Sequence, residues 1–265
     1  MTNALRTVSS LLVAGVLLLL AGCASAGGGG SGSGGSSHAR GELVLVTGAT
    51  GKTGRLVVAQ LQQRGYRVRA MSRDVERARI ALGANVEVVA ADLREPATLA
   101  AAVRGVRRIV STAGAGTLDE NDPNGPRVVD YEGVRHLVEA ARAAHVRQVV
   151  LISTQFATMP DAYGFAPMRP LLGWKFKGEQ ALRASGLDYT IVRPGQLLDG
   201  PGGVVRLRFG KGDVLRGPIS RADLATVCVE ALGRKAARRR TFEVAATPDA
   251  GANDFGALYG ALAPD

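Results

Sequence analysis

The chain has little of what builds a metal centre or a disulfide framework. Its 265 residues include only two cysteines and three histidines, so we expect neither a bound metal nor a set of structural disulfides. Aromatic residues make up 5% of the chain, and no apolar run is long enough for a membrane-spanning helix. Hydrophobic residues at 46% and charged residues at 21% exclude wholesale disorder, a collagen-like chain and a protein with several membrane spans.

Positive charge is in excess. The formal net charge is +10, and Arg6 is the only charged residue before position 38, so the basic character belongs to the body of the chain. Such a body favours anionic partners, namely phosphates, nucleic acid or an acidic membrane surface. The arginine cluster at 234–240 lacks interleaved aromatic residues, and we therefore interpret it as a solvated patch and do not expect nucleic acid to bind there.

The amino-terminal sequence is typical of a targeting segment. A short apolar run, residues 11–20, follows Arg6 and is typical of a secretory signal peptide. The sequence ending at Cys23 resembles the lipobox of bacterial lipoproteins, which implies that Cys23 is acylated, and a Gly/Ser-rich stretch follows. We predict a signal peptide (1–22), a flexible linker (23–40) and one folded domain (41–265) held at the extracytoplasmic side of a membrane. The alternative is a cytoplasmic protein with a mis-assigned start, in which Cys23 has no role.

A glycine-rich turn follows the first predicted strand. Residues 42–47 form an apolar, β-branched run, and the helical pattern ends near residue 63. Between them stands Gly48-Ala49-Thr50-Gly51-Lys52-Thr53-Gly54. Glycines at a tight turn, at a close backbone approach and at a helix–sheet contact are what a dinucleotide diphosphate requires, and the helix amides attract an anion. This context favours cofactor binding over a plain tight turn.

The end of the second strand bears on the choice of cofactor. Predicted strand 66–71 runs into Ser72-Arg73-Asp74. Arginine pairs with the 2′-phosphate of NADP, whereas an acid binds the ribose diol of NAD. Arg73 therefore favours NADP, Asp74 is the competing indication for NAD, and Lys52 is a second candidate phosphate ligand. Alternatively, Arg73 is a solvated side chain at the start of the next helix.

Strands and helices alternate along the rest of the chain. Further strands are predicted at 86–90, 108–111, 148–153 and 189–193, and helices at 75–82, 96–103, 128–144 and 174–185. This order predicts an α/β fold, a Rossmann-type doubly wound parallel sheet in a single domain. Ligands of such sheets bind at the carboxyl ends of the strands, so the candidates are the residues that follow strands: Asp92, Leu93, Ser111, Thr112, Ser153, Thr154, Pro194 and Gly195.

The pattern loosens after Gly195. A hairpin is expected around residues 204–209, then a helix at 221–232 and a strand at 241–245. We interpret this part as a small carboxyl-terminal extension on the substrate side. Cys228 falls on the apolar face of the predicted helix and is expected to be a buried small hydrophobe.

Several separated motifs together resemble the atypical short-chain dehydrogenase/reductases, near the flavin and biliverdin reductases and the NmrA-like sensors. They are TGATGKTG, the Asp92-Leu93 pair, VDYEGVRHLVEAARAAHVRQVVLIST, EQALRASGLDYTIVRPG and ISRADLA. The resemblance implies that the glycine turn holds the diphosphate, Arg73 the 2′-phosphate, and Asp92 and Leu93 the adenine. It also implies that Ser111, Thr112 and Ala113 line the ribose side and that Pro194 and Gly195 lie beside the nicotinamide.

The catalytic set of that family is only partly present. Ser153 or Thr154 fills the serine position, and Lys175 fills the lysine position. Lys175 would bind the nicotinamide ribose, or alternatively it is an exposed lysine of the helix. Leu171 occupies the position, four residues earlier, where that family has its tyrosine, and Asp130 occupies the position of the family's helix asparagine. Without a phenol to donate a proton, reduction of an isolated ketone loses about 10² to 10⁴ in rate.

Tyr163 is the remaining candidate phenol, in a loop that we expect to cover the crevice, although packing alone also explains it. Two functions follow. One is an NADPH-dependent oxidoreductase acting on a conjugated, flavin- or quinone-like acceptor. The other is a non-catalytic NADP-binding redox sensor or assembly protein.

Overall fold

The computed structural model of the chain describes residues 41–265. Cys23, the predicted signal peptide and the predicted linker therefore lie outside the described residues. Within residues 41–265, no helix combines the length and the hydropathy that a bilayer span requires.

Strands and helices alternate through most of the domain. The strands are β1 (Leu43–Thr47), β2 (Arg67–Ser72), β3 (Glu87–Ala90), β4 (Arg108–Ser111), β5 (Gln148–Ile152), β6 (Asp188–Pro194), β7 (Leu197–Leu198), β8 (Val205–Gly210), β9 (Ile219–Ser220) and β10 (Arg240–Ala250). The helices are α1 (Lys52–Gln63), α2 (Val75–Leu82), α3 (Pro96–Val103), α4 (Gly133–Ala143), α5 (Arg169–Arg183), α6 (Arg221–Ala231) and α7 (Phe255–Gly260).

Eight of these strands form one sheet in the order β3-β2-β1-β4-β5-β6-β10-β8. Every neighbouring pair is parallel except β10 and β8, which are antiparallel. The first six positions follow the 3-2-1-4-5-6 order of a doubly wound sheet, whose ligand crevice lies where the strand order reverses, between β1 and β4. The predicted Rossmann-type fold is confirmed.

Both faces of the sheet are covered. β1 is buried along its whole length, and its successive side chains enter different apolar layers because side chains of a strand alternate between faces. Val44 and Val46 pack in the layer that contains α1 and α6. Leu43 and Leu45 pack in the layer that contains α3 and α4.

Four elements differ from the sequence predictions. The prediction of a hairpin around residues 204–209 is wrong, because β8 pairs with β10, which lies about 35 residues later in the chain. This pairing has a register shift between Ala246 and Ala250. Helix α5 begins at Arg169 rather than at residue 174, since Pro170 occupies its first turn, where proline is tolerated. A π-helical turn, Arg127–Glu132, precedes α4, and the short helix α7 was not predicted.

Candidate functional site

The turn between β1 and α1 has no space for side chains at two of its glycines. Gly48 has a φ of +66°, and a Cβ there would lie 2.7 Å from the amide nitrogen of Ala113. A Cβ at Gly54 would overlap the carbonyl oxygen of Gly48 and come within 2.9 Å of the Cα of Ala49. The turn therefore brings bare backbone close to the ends of β1 and β4.

The start of α1 is open to an anion. Gly51 is the N-cap residue, no side chain caps the helix, and its first turn contains no acid. The first amides of a helix carry partial positive charge and lack partners within the helix. With the glycine turn beside them, these amides fit the diphosphate of a dinucleotide.

A cleft of about 880 Å³ lies over the carboxyl ends of β1, β2, β3 and β4. Eight of the predicted cofactor residues line it: Gly48, Thr50, Gly51, Arg73, Asp92, Leu93, Thr112 and Ala113. Leu93 is buried and its carbonyl oxygen is 2.9 Å from Nδ1 of His136. Thr112 donates to the carbonyl oxygen of Thr47 at 2.8 Å, which ties the β4 end to the β1 end.

The other predicted residues of the glycine turn and of β4 do not line this cleft. Lys52 forms a salt bridge of 2.8 Å with Asp199, and both side chains are largely exposed. Thr53 and Gly54 lie within α1. Ser111 is buried, and its hydroxyl is 3.0 Å from the hydroxyl of Thr47.

Two arginines converge at the far end of the cleft. Arg73 and Arg94 each donate to Oδ1 of Asn124 at 3.0 Å. Arg94 also donates to both carboxylate oxygens of Asp92, from Nε to Oδ1 at 3.1 Å and from Nη2 to Oδ2 at 2.6 Å. Burial raises the pKa of Asp92, but the hydrogen bonds from Arg94 outweigh it, so the pKa lies below its usual value. The carboxylate remains ionised and holds Arg94 in place.

The sequence predictions missed Arg94 and Asn124. Arg94 stands two residues after Asp92, just beyond a strand, and that position was a usable signal. Asn124 belongs to the long segment between β4 and the π-helical turn, and nothing in the sequence marks it. Asp74, the competing NAD indication, accepts a hydrogen bond from the amide of Arg77 at 2.9 Å, so its carboxylate caps α2.

A buried ion pair lies beyond the other end of the cleft. Lys175 donates to Oδ1 of Asp130 at 2.6 Å, and the two side chains are 15% and 3% exposed. The amide of Ala115 donates to the other oxygen of Asp130 at 3.1 Å. A Cβ on the cleft-lining Gly114 would be 3.5 Å from both Lys175 Nζ and Asp130 Oδ1. The pair therefore borders the backbone that lines the cleft.

No tyrosine occupies the position at which the short-chain dehydrogenase/reductases have their catalytic phenol. Leu171 lies on α5, four residues before Lys175. Tyr163 packs edge-on against Phe156, with ring centroids 5.1 Å apart, and the guanidinium of Arg216 covers the Phe156 ring at 3.7 Å. These contacts pack Tyr163 within the loop between β5 and α5, and its catalytic role stays a prediction.

The predicted residues at the ends of β5 and β6 are buried or half-buried. The hydroxyl of Ser153 is buried and has no hydrogen-bond partner among residues 41–265. Thr154 is half-buried, and Pro194 is buried at the end of β6. A Cβ at Gly195 would come within 2.7 Å of Oε1 of Gln155. Ser153, Thr154, Pro194 and Gly195 are not among the residues that line the cleft, and their place beside the nicotinamide stays a prediction.

Buried charges next to β6 were not found from the sequence. Arg193 binds both carboxylate oxygens of Glu179 at 2.9 Å and 2.6 Å, and it lies 3.9 Å from Asp213 and 3.8 Å from Glu243. Asp213 accepts from the amides of Phe156 and Thr158 at 2.7 Å and 2.9 Å. The network joins β6, β10 and α5 to the loop between β5 and α5. A charged residue inside an apolar strand was its only sequence signal.

Cys228 lies in the core. It is fully buried on α6, and burial raises the pKa of its thiol to about 12. The thiol is therefore protonated at neutral pH, and the expectation of a buried small hydrophobe is confirmed.

Comparisons with known proteins point to the same part of the chain. A protein-family model described as NAD(P)H-binding matches residues 48–235. An uncharacterized chloroplastic protein of Arabidopsis thaliana is 34% identical over 241 residues, covering 82% of this chain and 74% of that protein. The sanguinarine reductase of Eschscholzia californica is 29% identical over 258 residues, covering 82% of this chain and 94% of the reductase.

A solved structure shows the same fold. A candidate NAD-dependent epimerase/dehydratase from Bacillus halodurans matches with a TM-score of 0.70 and 27% sequence identity. The match covers 79% of this chain and 96% of that chain. Residues 48–235, which the family model matches, contain the glycine turn, the cleft-lining residues and the Asp130–Lys175 pair.

Proposed function

Because the chain belongs to the NAD(P)H-binding family whose model spans residues 48–235, we propose that it is an NADPH-dependent oxidoreductase acting on a conjugated, flavin- or quinone-like acceptor. The observation that carries this proposal is a glycine cradle without space for side chains, with Arg73 at one end of its cleft and Lys175 beyond the other. A bound reduced nicotinamide would supply a hydride.

Different residues of the chain would bind different parts of that cofactor. The uncapped amides of α1 would neutralise the diphosphate, and Arg73 would pair with the 2′-phosphate. The carboxylate of Asp74 already caps α2. It would therefore bind the ribose diol of NAD less strongly than a carboxylate without a partner. Arg94, held by Asp92, adds a second guanidinium to the same end of the cleft.

The acceptor class follows from the missing phenol. Leu171 cannot donate a proton to an alkoxide. Acceptors that spread the incoming charge over a conjugated system take their proton from water or from an internal atom, so they do not need that phenol. The similarity to a protein named as a sanguinarine reductase supports a reductase role.

Cofactor choice is tested by titrating the full chain with NADPH and with NADH. We expect NADPH to bind more tightly, and Arg73→Gln to weaken NADPH by about 10- to 100-fold, since a hydrogen bond to a charged group contributes about 1.5–3 kcal/mol. NADH should be unaffected. Arg79→Gln is the matched control, because Arg79 is an exposed α2 residue paired with Glu76. A wild-type preference for NADH would refute the assignment of Arg73.

Turnover is tested by following NADPH oxidation with a panel of flavins and quinones. We expect turnover with at least one acceptor, and a lower rate for Lys175→Met. Tight NADPH binding without turnover on any acceptor would contradict the enzyme proposal. It would favour the second candidate, a non-catalytic NADP-binding redox sensor or assembly protein, which the missing tyrosine and the pairing of Lys175 with Asp130 support.

We also propose that Cys23 anchors the protein on the extracytoplasmic side of a membrane. The support is the order of apolar run, lipobox-like sequence and Gly/Ser-rich linker. Cys23→Ala should move the protein from the membrane fraction to the soluble fraction. Unchanged fractionation would refute acylation at this residue.

A further inference from the structure

A row of arginines lies along the amino-terminal ends of the central strands, the edge opposite to the cleft. Arg67 stands at the start of β2, and its amide donates to the carbonyl oxygen of Glu42 at 3.0 Å, just before β1. The amide of Arg107, just before β4, donates to Leu43 at 2.9 Å. The amide of Arg147, just before β5, donates to Arg107 at 2.8 Å. Three of four consecutive strand positions thus begin with an arginine.

Four exposed arginines of this edge have no acidic partner among residues 41–265. They are Arg67, Arg104, Arg107 and Arg147, which we call the arginine edge. Their neighbours are different: Arg69 pairs with Glu87, and Arg108 pairs with Glu42. Burial lowers the pKa of Arg108, and the positive charges of Arg147 and Arg238 lower it further. Positive charge is therefore concentrated here beyond what the local acids neutralise.

The arginine edge also borders the point where the amino-terminal segment joins the domain. Gly41, the first described residue, donates to Gly65 at 2.9 Å. It lines a shallow depression of about 500 Å³ together with Arg67, Arg104 and Arg107. The forty residues before Gly41, with their apolar run and Gly/Ser-rich stretch, are therefore attached beside the unpaired arginines.

We propose that the arginine edge rests on a membrane surface of anionic phospholipids. Guanidinium groups bind phosphate through paired hydrogen bonds, and anionic leaflets attract exposed basic residues. Because the edge carries the amino-terminal ends of the strands and the cleft lies at their carboxyl ends, this contact turns the cleft away from the membrane. The proposal is independent of the reaction at the cleft.

The test compares partitioning of the full chain between buffer and two kinds of vesicle, phosphatidylcholine alone and phosphatidylcholine with 30% phosphatidylglycerol. All variants keep the same amino terminus, so the ratio of the two partition coefficients isolates the effect of lipid charge. We expect Arg67→Gln/Arg104→Gln/Arg107→Gln to reduce that ratio on the order of 100-fold, about fivefold for each arginine, and less in high salt.

A matched triple removes the same charge elsewhere. Arg55, Arg206 and Arg208 are exposed and take part in no salt bridge within residues 41–265. Their replacement by glutamine should leave the ratio nearly unchanged. An equal reduction of the ratio in both triple variants would mean that the net charge of the protein, and not the arginine edge, determines vesicle binding. This result would overturn the proposal. Retained NADPH affinity in both triples reports that the fold is intact.

Orientation gives a second readout. Trp174, the only tryptophan of the chain, lies on the amino-terminal half of α5, toward the carboxyl ends of the strands. Headgroup spin-labelled lipid should leave its fluorescence unquenched, and strong quenching would overturn the proposal. If the triple substitution abolished binding to a DNA duplex and left vesicle partitioning unchanged, the edge would be a nucleic-acid surface and the membrane proposal would be wrong.

Discussion

Gly54 is the residue at which α1 meets the end of β1. A Cβ there would overlap backbone atoms of Gly48 and Ala49, and backbone cannot give way as a flexible side chain does. The same turn holds the uncapped amides of α1. A single added methyl group at this position therefore acts on packing and on anion binding together.

We predict that Gly54→Ala destabilises the domain by about 1–3 kcal/mol, the range for overpacking, and strongly weakens NADPH binding because α1 must shift. Urea unfolding and cofactor titration measure the two effects. Gly173→Ala is the control, since Gly173 lies on α5 with no atom within 4 Å of its Cβ position. That change should stabilise α5 by up to about 1 kcal/mol. Equal effects of the two substitutions would contradict the steric argument.

Glu243 is a second residue with a defined consequence. Burial raises the pKa of its carboxyl above the usual value, so the folded state keeps its proton to higher pH than the unfolded state. The stabilisation from that proton is fully present below the unfolded pKa and is lost as pH rises through the folded pKa. Glu243→Gln stays neutral at every pH.

The variant should therefore gain stability over the wild type as pH rises through this range, and lose its advantage in acid. Urea unfolding from about pH 4 to about pH 8 measures the difference in unfolding free energy between the variant and the wild type. This range begins near the ordinary pKa of a glutamate carboxyl and extends well above it. Glu76→Gln is the control, because Glu76 is an exposed α2 residue. A difference between Glu243→Gln and wild type that does not change with pH would contradict the prediction.

At the scale of elements, the π-helical turn before α4 decides where Asp130 points. Such turns are rare and concentrate at functional sites, because the extra residue in the turn reorients its neighbours. Here the turn buries Asp130 against Lys175 of α5. Gly178 of α5 permits this approach, since a Cβ there would overlap the carbonyl oxygen of Asp130. The turn and α5 form one structural unit.

We predict that Asp130→Asn lowers the free energy of unfolding by about 1–3 kcal/mol, because it leaves the Lys175 ammonium without its charged partner. Lys175→Met should remove most of that penalty when the two changes are combined. A double-mutant cycle in urea measures this coupling. Additive effects of the two substitutions would show that the ion pair does not couple the turn to α5.

At the scale of the whole molecule, periodicity was enough for the parallel sheet and for the approximate positions of β8 and β10, but not for the pairing of these two strands. The strong β-branched runs and the glycine turn predict β1 to β6. The pairing of β8 with β10 depends on contacts between distant residues, and no turn residues mark it. Helix α7 has six residues, too few to be stable alone, and it depends on the fully buried Tyr259 packing against Phe242.

The candidate site divides in the same way. Residues that directly follow strands, such as Arg73, Asp92 and Thr112, could be predicted because the fold brings strand ends together. Contacts between side chains of separate elements could not, because nothing in the local sequence marks their partners. Asn124 between two arginines and Arg193 on Glu179 are examples.

Cofactor binding should stabilise the whole domain. At a cofactor concentration about 100 times the dissociation constant, binding adds about 2.7 kcal/mol, and a domain of this size should melt roughly 5–10 °C higher. Differential scanning fluorimetry of the full chain with NADPH measures the shift. The arginine-edge triple should keep the shift, and Gly54→Ala should lose it. A shift that Gly54→Ala retains would place the cofactor elsewhere.

Asp213 connects two loops through one carboxylate. It accepts three hydrogen bonds from Phe156 and Thr158, and it belongs to the loop that follows β8. Burial raises its pKa, but the hydrogen bonds from Thr158 and Phe156 and the charge of Arg193 bring the pKa below its usual value. At neutral pH the loop that follows β5 and the loop that follows β8 therefore cannot separate without breaking these hydrogen bonds to an ionised carboxylate. Acidification through that pKa would loosen both loops in one event.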